Sequence, residues 1–131
     1  MWQRPTARSG HPSSRGWTAG GLLHGLAAHH GGEVVHDVHI DDEHIPFIAV
    51  LRTGVFVVGH EPDVRRQRDL VASVFDLPVE IEPVEMSDLV AVAGALVGTQ
   101  GQPRVEVLTD QQVGRLAARL RLGRAVRILG A

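Results

Sequence analysis

Between His36 and His44 the chain carries its densest set of groups able to do chemistry: His36, Asp37, His39, Asp41, Asp42, Glu43 and His44. Imidazole nitrogens and carboxylate oxygens at such spacing are ligands for Zn²⁺ or Mn²⁺. A strand through this stretch puts His36 and His39 on opposite faces, so both reach one ion only with help from the following loop. The plainer alternative is a solvated strand end and turn. Glu61 beside His60 offers an acid and a base, but neighbouring strand residues point apart. Glu61 equally suits the first turn of a helix, where the macrodipole favours an acid. Arg115, Arg119, Arg121, Arg124 and Arg127 form a cationic run that could meet phosphate. At helical spacing Arg115 and Arg119 share a face that Leu122 ends, and the run lacks the interleaved aromatics of single-strand binders.

Several chemistries are excluded by inspection. All 13 basic residues are Arg, so no step can use a lysine. The absence of Cys removes disulfides and thiolate metal sites. No Asp or Glu stands between Met1 and Gly32. A net charge of −2 speaks against strong non-specific nucleic-acid binding, which asks for a basic domain. With 131 residues, 44% of them apolar and 21% charged, the composition is that of one globular domain. No apolar run has the length of a membrane span, so no membrane partner is expected. The lack of cysteine fits a cytoplasmic setting.

The elements that must position these groups centre on Ile45 to His60. Two apolar runs, Ile45 to Leu51 and Val55 to Val58, are separated only by Arg52, Thr53 and Gly54. Thr53-Gly54 suits a tight turn, and unbroken Val- and Ile-rich runs suit strands covered on both faces. A buried β-hairpin is expected here. Met1 to Gly16 is read as a disordered leader and residues 17–131 as a single domain. Thr18 to His30 has a helical apolar face of Leu22, Leu23, Leu26 and Ala27, stopped by Gly31-Gly32. Glu33 to Ile40 alternates as a strand, with Val34, His36, Val38 and Ile40 on one side. Pro62 opens a helix over Asp63 to Phe75. Val79 to Met86, broken by Pro83, reads as an edge strand. Leu89 to Gly98 and Arg104 to Leu108 read as strands. Thr109 caps a helix through Leu122, with Gln112 at the capping-box position, and Ala125 to Leu129 reads as a last edge strand. The sum is an α/β fold, a mixed central β-sheet flanked by helices.

This order resembles the nuclease-related domain called NERD, within the restriction-endonuclease-like PD-(D/E)XK fold, over roughly Thr18 to Leu122. Val35-His36-Asp37 is similar to the family's first-strand signature, Gly54-Val55-Phe56-Val57-Val58 to its second hairpin strand and Val64-Arg65-Arg66-Gln67 to its following helix. Val90 to Gly98 resembles its later core strand, and Val107-Leu108-Thr109 with Leu116 its closing strand and helix. The resemblance implies two metal-binding carboxylates and a lysine. It places Pro46 at the first acid, Phe47 at the adjoining His, Gly59 at the second acid and Glu61 at the lysine. The family's leading Glu falls near Gly16 to Gly21, where no acid exists.

The resemblance therefore implies a catalytically inactive nuclease-like domain, a pseudoenzyme acting as a binding or structural module without cofactor. Its partner is an unidentified protein or a second copy, with the edge near Val79 to Met86 as one surface. Two alternatives stay open. One is a divergent nuclease using Mg²⁺ and migrated acids from Asp37, Asp41, Asp42 or Glu61. The other is a weak nucleic-acid-binding domain.

Overall fold

The computed structural model describes residues 12–123 and 125–126. The first eleven residues of the expected leader, and residues 127–129 of the expected last strand, lie outside them. The helix α1 spans Pro12–His29, so it begins upstream of the expected Thr18. It is followed by β1 (Glu33–Ile40), β2 (Glu43–Leu51), β3 (Gly54–Gly59), α2 (Asp63–Phe75), β4 (Ile81–Glu85), α3 (Leu89–Val97), α4 (Asp110–Leu122) and β5 (Ala125–Val126). The strands form a mixed sheet in the order β4-β3-β2-β1-β5. β1, β2 and β3 are antiparallel neighbours, while β4 runs parallel to β3 and the two-residue β5 parallel to β1.

The expected hairpin is the middle of this sheet. Leu51 pairs with Gly54, which leaves Arg52 and Thr53 as the turn, one residue earlier than the sequence suggested. Gly54 takes φ +146°, a region favouring glycine, and a Cβ there would lie 3.4 Å from the Phe56 ring. Every residue of β3 is buried. Val55 and Val57 join one apolar cluster with α2 and α4; Phe56 and Val58 join another with α1 and α3. Helices thus cover both faces, and the α/β class with a mixed sheet holds.

The first strand departs from simple alternation. Val35, Val38 and Ile40 lie in one cluster, whereas Val34 lies in the other. The change of face occurs at Asp37, which has φ +56°. Asp tolerates this left-handed conformation better than most residues because its short polar side chain bonds locally. The residue across from it is Pro46, between the pairs His36↔Phe47 and Val38↔Ile45. Proline has no N–H for the ladder, so this is where a strand pair loses least by breaking step. β2 changes face at the same level, with Ile45 and Ile48 in one cluster and Ala49 and Leu51 in the other. The expected common face of Val34, His36, Val38 and Ile40 is corrected accordingly.

Two further expectations are corrected. Leu89 to Gly98 is not a strand but α3, N-capped by Asp88, whose carboxylate accepts from the N–H groups of Val90 and Ala91. A short apolar run cannot be divided between strand and helix by periodicity. The aspartate cap, with Leu and Ala among the Val residues, decides for helix. Arg104 to Leu108 belongs to no strand; Val107 and Leu108 both donate their N–H to the carbonyl of Arg52. This double bond ties the extended segment to the hairpin turn. At α4 the capping box is present as expected. The Thr109 side chain accepts from Gln112 N–H at 3.1 Å, and Gln112 Oε1 accepts from Thr109 N–H at 2.8 Å.

Replacing Thr109 by Ala removes the first of these bonds while Val113, Leu116, Ala117 and Leu120 keep α4 on the sheet. Urea denaturation is expected to show a loss of about 1 kcal/mol with an unchanged m-value.

Candidate functional site

Polar chemistry gathers at the end of the sheet opposite the hairpin turn, where β1 and β3 finish and β2 begins. Because Phe47 pairs with Val58, the next positions outward, Pro46 and Gly59, are cross-strand neighbours. These are the two positions at which the sequence leads to an expectation of metal-binding acids. Neither residue has a functional side chain. Gly59 is paired on its other side with Glu85 of β4.

The space beside Gly59 is taken by Gln67 of α2, only 6% exposed. Its Nε2 donates to Glu43 Oε2 at 3.0 Å and to the His44 carbonyl at 3.2 Å. Its Oε1 is buried with no hydrogen-bond partner among the described residues, and a Cβ on Gly59 would come within 3.1 Å of it. Gln67 was not singled out as a site residue from sequence, although a signal existed. It falls at helical spacing between Val64 and Val71, so an amide occupies a core-facing position.

Glu43 is clamped by Arg66, whose Nη2 lies 2.9 Å from Oε1 and 3.0 Å from Oε2. The Gln67 amide, and then this guanidinium, hold the Glu43 carboxyl below its ordinary range, and Glu43 raises Arg66 in turn. Glu61, at the position of the expected lysine, is exposed and paired with Arg65 at 3.1 Å one helical turn on. An exposed pair of this kind contributes little stability. Glu85 gathers more donors. The Ser87 hydroxyl, the Glu61 N–H and the Ser87 N–H all point at its carboxylate, and His60 Nδ1 stands 3.6 Å away. Led by the Ser87 hydroxyl, these donors bring the Glu85 carboxyl down to about 2.

The seven polar residues of the 36–44 stretch separate. His36 turns toward α1, where its Nε2 lies 2.6 Å from His24 Nε2. Asp37 accepts from His44 Nε2 at 2.7 Å, and that bond is the main reason the Asp37 carboxyl is lowered. His44 stacks on His39 with ring centroids 4.8 Å apart. Glu43 belongs to the Gln67 network, while Asp41 and Asp42 form the exposed turn between β1 and β2. Among the described residues, no three His, Asp or Glu come together to hold a metal ion. His24, for which the sequence suggested no role, is thereby part of a side-chain bond. The Arg run also divides. Arg115 and Arg119 are exposed on α4, Arg121 pairs with Glu33 and donates to the Val34 carbonyl, and Arg124 and Arg127 lie outside the described residues.

The expected edge strand is an edge, but a guarded one. Met86 N–H bonds to the Gly59 carbonyl, so Ile81, Pro83 and Glu85 turn their backbone outward. Arg68 occupies the Ile81 carbonyl at 3.1 Å, and Pro83 has no N–H to offer. No helix of the described residues is long and apolar enough to cross a membrane. In comparison with known proteins, the chain matches no family model, no curated protein and no solved structure.

The Glu85 carboxylate should remain ionised until the pH approaches 2, well below an ordinary glutamate. Its lowered value adds stability above the usual glutamate range, and that contribution is lost as the pH falls toward 2. Carbon-13 titration of the side-chain carboxyls should show Ser87→Ala returning Glu85 part of the way toward 4.5.

Proposed function

We propose that this chain is a nuclease-like scaffold without the cutting chemistry, serving as a binding or structural module for a protein partner or a second copy. One observation carries the reading. Pro46 and Gly59, the two positions the resemblance assigns to metal-binding acids, meet across the hairpin, and that end is filled by Gln67, Glu43 and Arg66. A hard divalent cation needs several oxygen ligands, and the metal with a lysine would have to activate water and stabilise developing phosphate charge. The chain has no lysine, and its nearest carboxylates are engaged by Arg66, Arg65 and Ser87.

The order of elements adds support: a helix, three antiparallel strands, a helix and a strand parallel to the third. The segment Val90 to Gly98, which the resemblance assigns to a later core strand, lies almost wholly in α3 and gives the reading no support. The guarded edge of β4 favours a partner met through side chains over one added as a strand. A chain without cysteine is suited to work in the cytoplasm.

Calorimetric titration of Mg²⁺ and Mn²⁺ into the full chain, followed by plasmid nicking in the same buffer, tests the reading. No binding heat and no nicking are expected. Cleavage that depends on added Mn²⁺ would replace this reading with that of a divergent nuclease. Salt-sensitive retention of DNA without cleavage would favour a nucleic-acid-binding role. A second arm restores what is missing: Pro46→Asp with Gly59→Glu is expected to create measurable Mn²⁺ binding. A well-folded double variant that stays silent would remove Pro46 and Gly59 as the degenerate acid positions.

A further inference from the structure

Within the described residues, α1 meets the sheet through little apolar surface. Leu23 and Ala27 are buried against Val34, Ala49, Leu51 and Phe56, with Leu22 and Leu26 partly covered. Gly20, Gly21 and Gly25 each cost a helix roughly 1 kcal/mol against Ala, so packing must hold this one. Among the described residues, the side-chain hydrogen bond joining α1 to the sheet is His24 to His36. The ring planes are 25° apart and the centroids 4.7 Å apart, longer than the 2.6 Å between nitrogens by nearly two ring radii. The imidazoles therefore meet end on, nitrogen to nitrogen, and share one proton between two Nε2 atoms.

That arrangement has a protonation limit. With the pair neutral, or carrying a single positive charge, one nitrogen donates and the other accepts. With both rings protonated, both nitrogens are donors and the bond cannot exist. The surroundings make the second proton harder to place. His36 is packed edge-on against Phe47 of β2. Its imidazole is held below the ordinary histidine value chiefly by this burial and then by His24, with Arg121 of α4 acting in the same direction. Arg121 is itself paired with Glu33. The nearest opposing charge, Asp37 on β1, acts the other way, but its carboxylate is already bonded to His44. The neighbouring α3 carries no titratable group.

We infer that the His24–His36 bond is a pH-sensitive latch that holds α1 on the sheet near neutral pH and releases it on mild acidification. Release uncovers apolar side chains of β1 and β2 on this face, Val34, Ala49 and Leu51. The sign follows from linkage. A lowered histidine means that the opened state binds more protons than the closed one. Opening is therefore unfavourable above the ordinary histidine value near 6.5 and gains ground as pH falls below it. One additional proton gives at most about a tenfold change in the opening equilibrium per pH unit.

Hydrogen exchange of the α1 amides, corrected for intrinsic rates, tests the latch in the full chain. Between pH 6.5 and 5.5, protection over residues 20–29 should fall several-fold, while protection in β3 holds. His24→Gln keeps a hydrogen-bonding group at an exposed position and removes one titrating ring, so the pH dependence should flatten. His39→Gln, on an exposed histidine outside the pair, should leave it intact. Long-range nitrogen-15 spectra provide a readout independent of helix stability: at neutral pH one Nε2 of the pair should be protonated and the other an acceptor. Flat exchange in the unsubstituted chain, an unchanged slope in His24→Gln, or two protonated Nε2 atoms at neutral pH would each overturn the latch.

Discussion

The pairing of β2 with β3 is the constraint on which the rest of the structure depends. Val55, Phe56, Val57 and Val58 are each fully buried, and the strand that carries them has a neighbour on either side and helices on both faces. Removing such side chains from water supplies roughly 1.5–3 kcal/mol each before entropy is counted. The two apolar clusters lie on opposite sides of the sheet, and β3 belongs to both. Alternate residues of this one strand therefore fix where α2 and α4 sit and where α1 and α3 sit. The same pairing brings Pro46 beside Gly59 and so defines the polar end of the molecule.

That polar end is organised by donors satisfying carboxylates. Glu43 is held by an amide and a guanidinium, Glu85 by a hydroxyl and two backbone N–H groups, and Asp37 by an imidazole. Such carboxylates are good acceptors already in use, which leaves little capacity for a cation without breaking existing bonds. Among the described residues, the one buried side-chain acceptor without a partner is Gln67 Oε1, an uncharged group whose orientation is set by the two bonds of its own Nε2. The chemistry of this end is that of a network in which each of these carboxylates already has its donors.

Much of this was legible in the sequence where a signal is local. The hairpin followed from two apolar runs around a short polar break, the α4 cap from Thr109 and Gln112, and the edge position of β4 from Pro83. What could not be read depended on partners remote in sequence. Around Leu89 to Val97 only the Leu and Ala content and Asp88 favour helix over buried strand, and the capping role of Asp88 is visible only once the helix is granted. The extended stretch before Leu108 lacked a strand to pair with because the hairpin turn claimed its N–H groups. The 36–44 cluster looked like one ligand set because it is contiguous, yet α1, α2 and the β1–β2 turn each draw away a part. Gln67 and His24 matter through contacts with residues 24 and 12 positions away, respectively.

The face change at Asp37 and Pro46 has a consequence for how this ribbon is built. Both strands reverse their inside and outside at the same level, and the register on either side is undisturbed. Read without Asp37 and Pro46, β1 and β2 each alternate between the two clusters without interruption from end to end. The two residues thus behave as a single extra rung in a ladder, one half on each upright. A change in the length of one upright alone would turn its outer side chains to the wrong side. Taking out both halves together would shorten the ladder and leave every remaining side chain facing the layer it now serves.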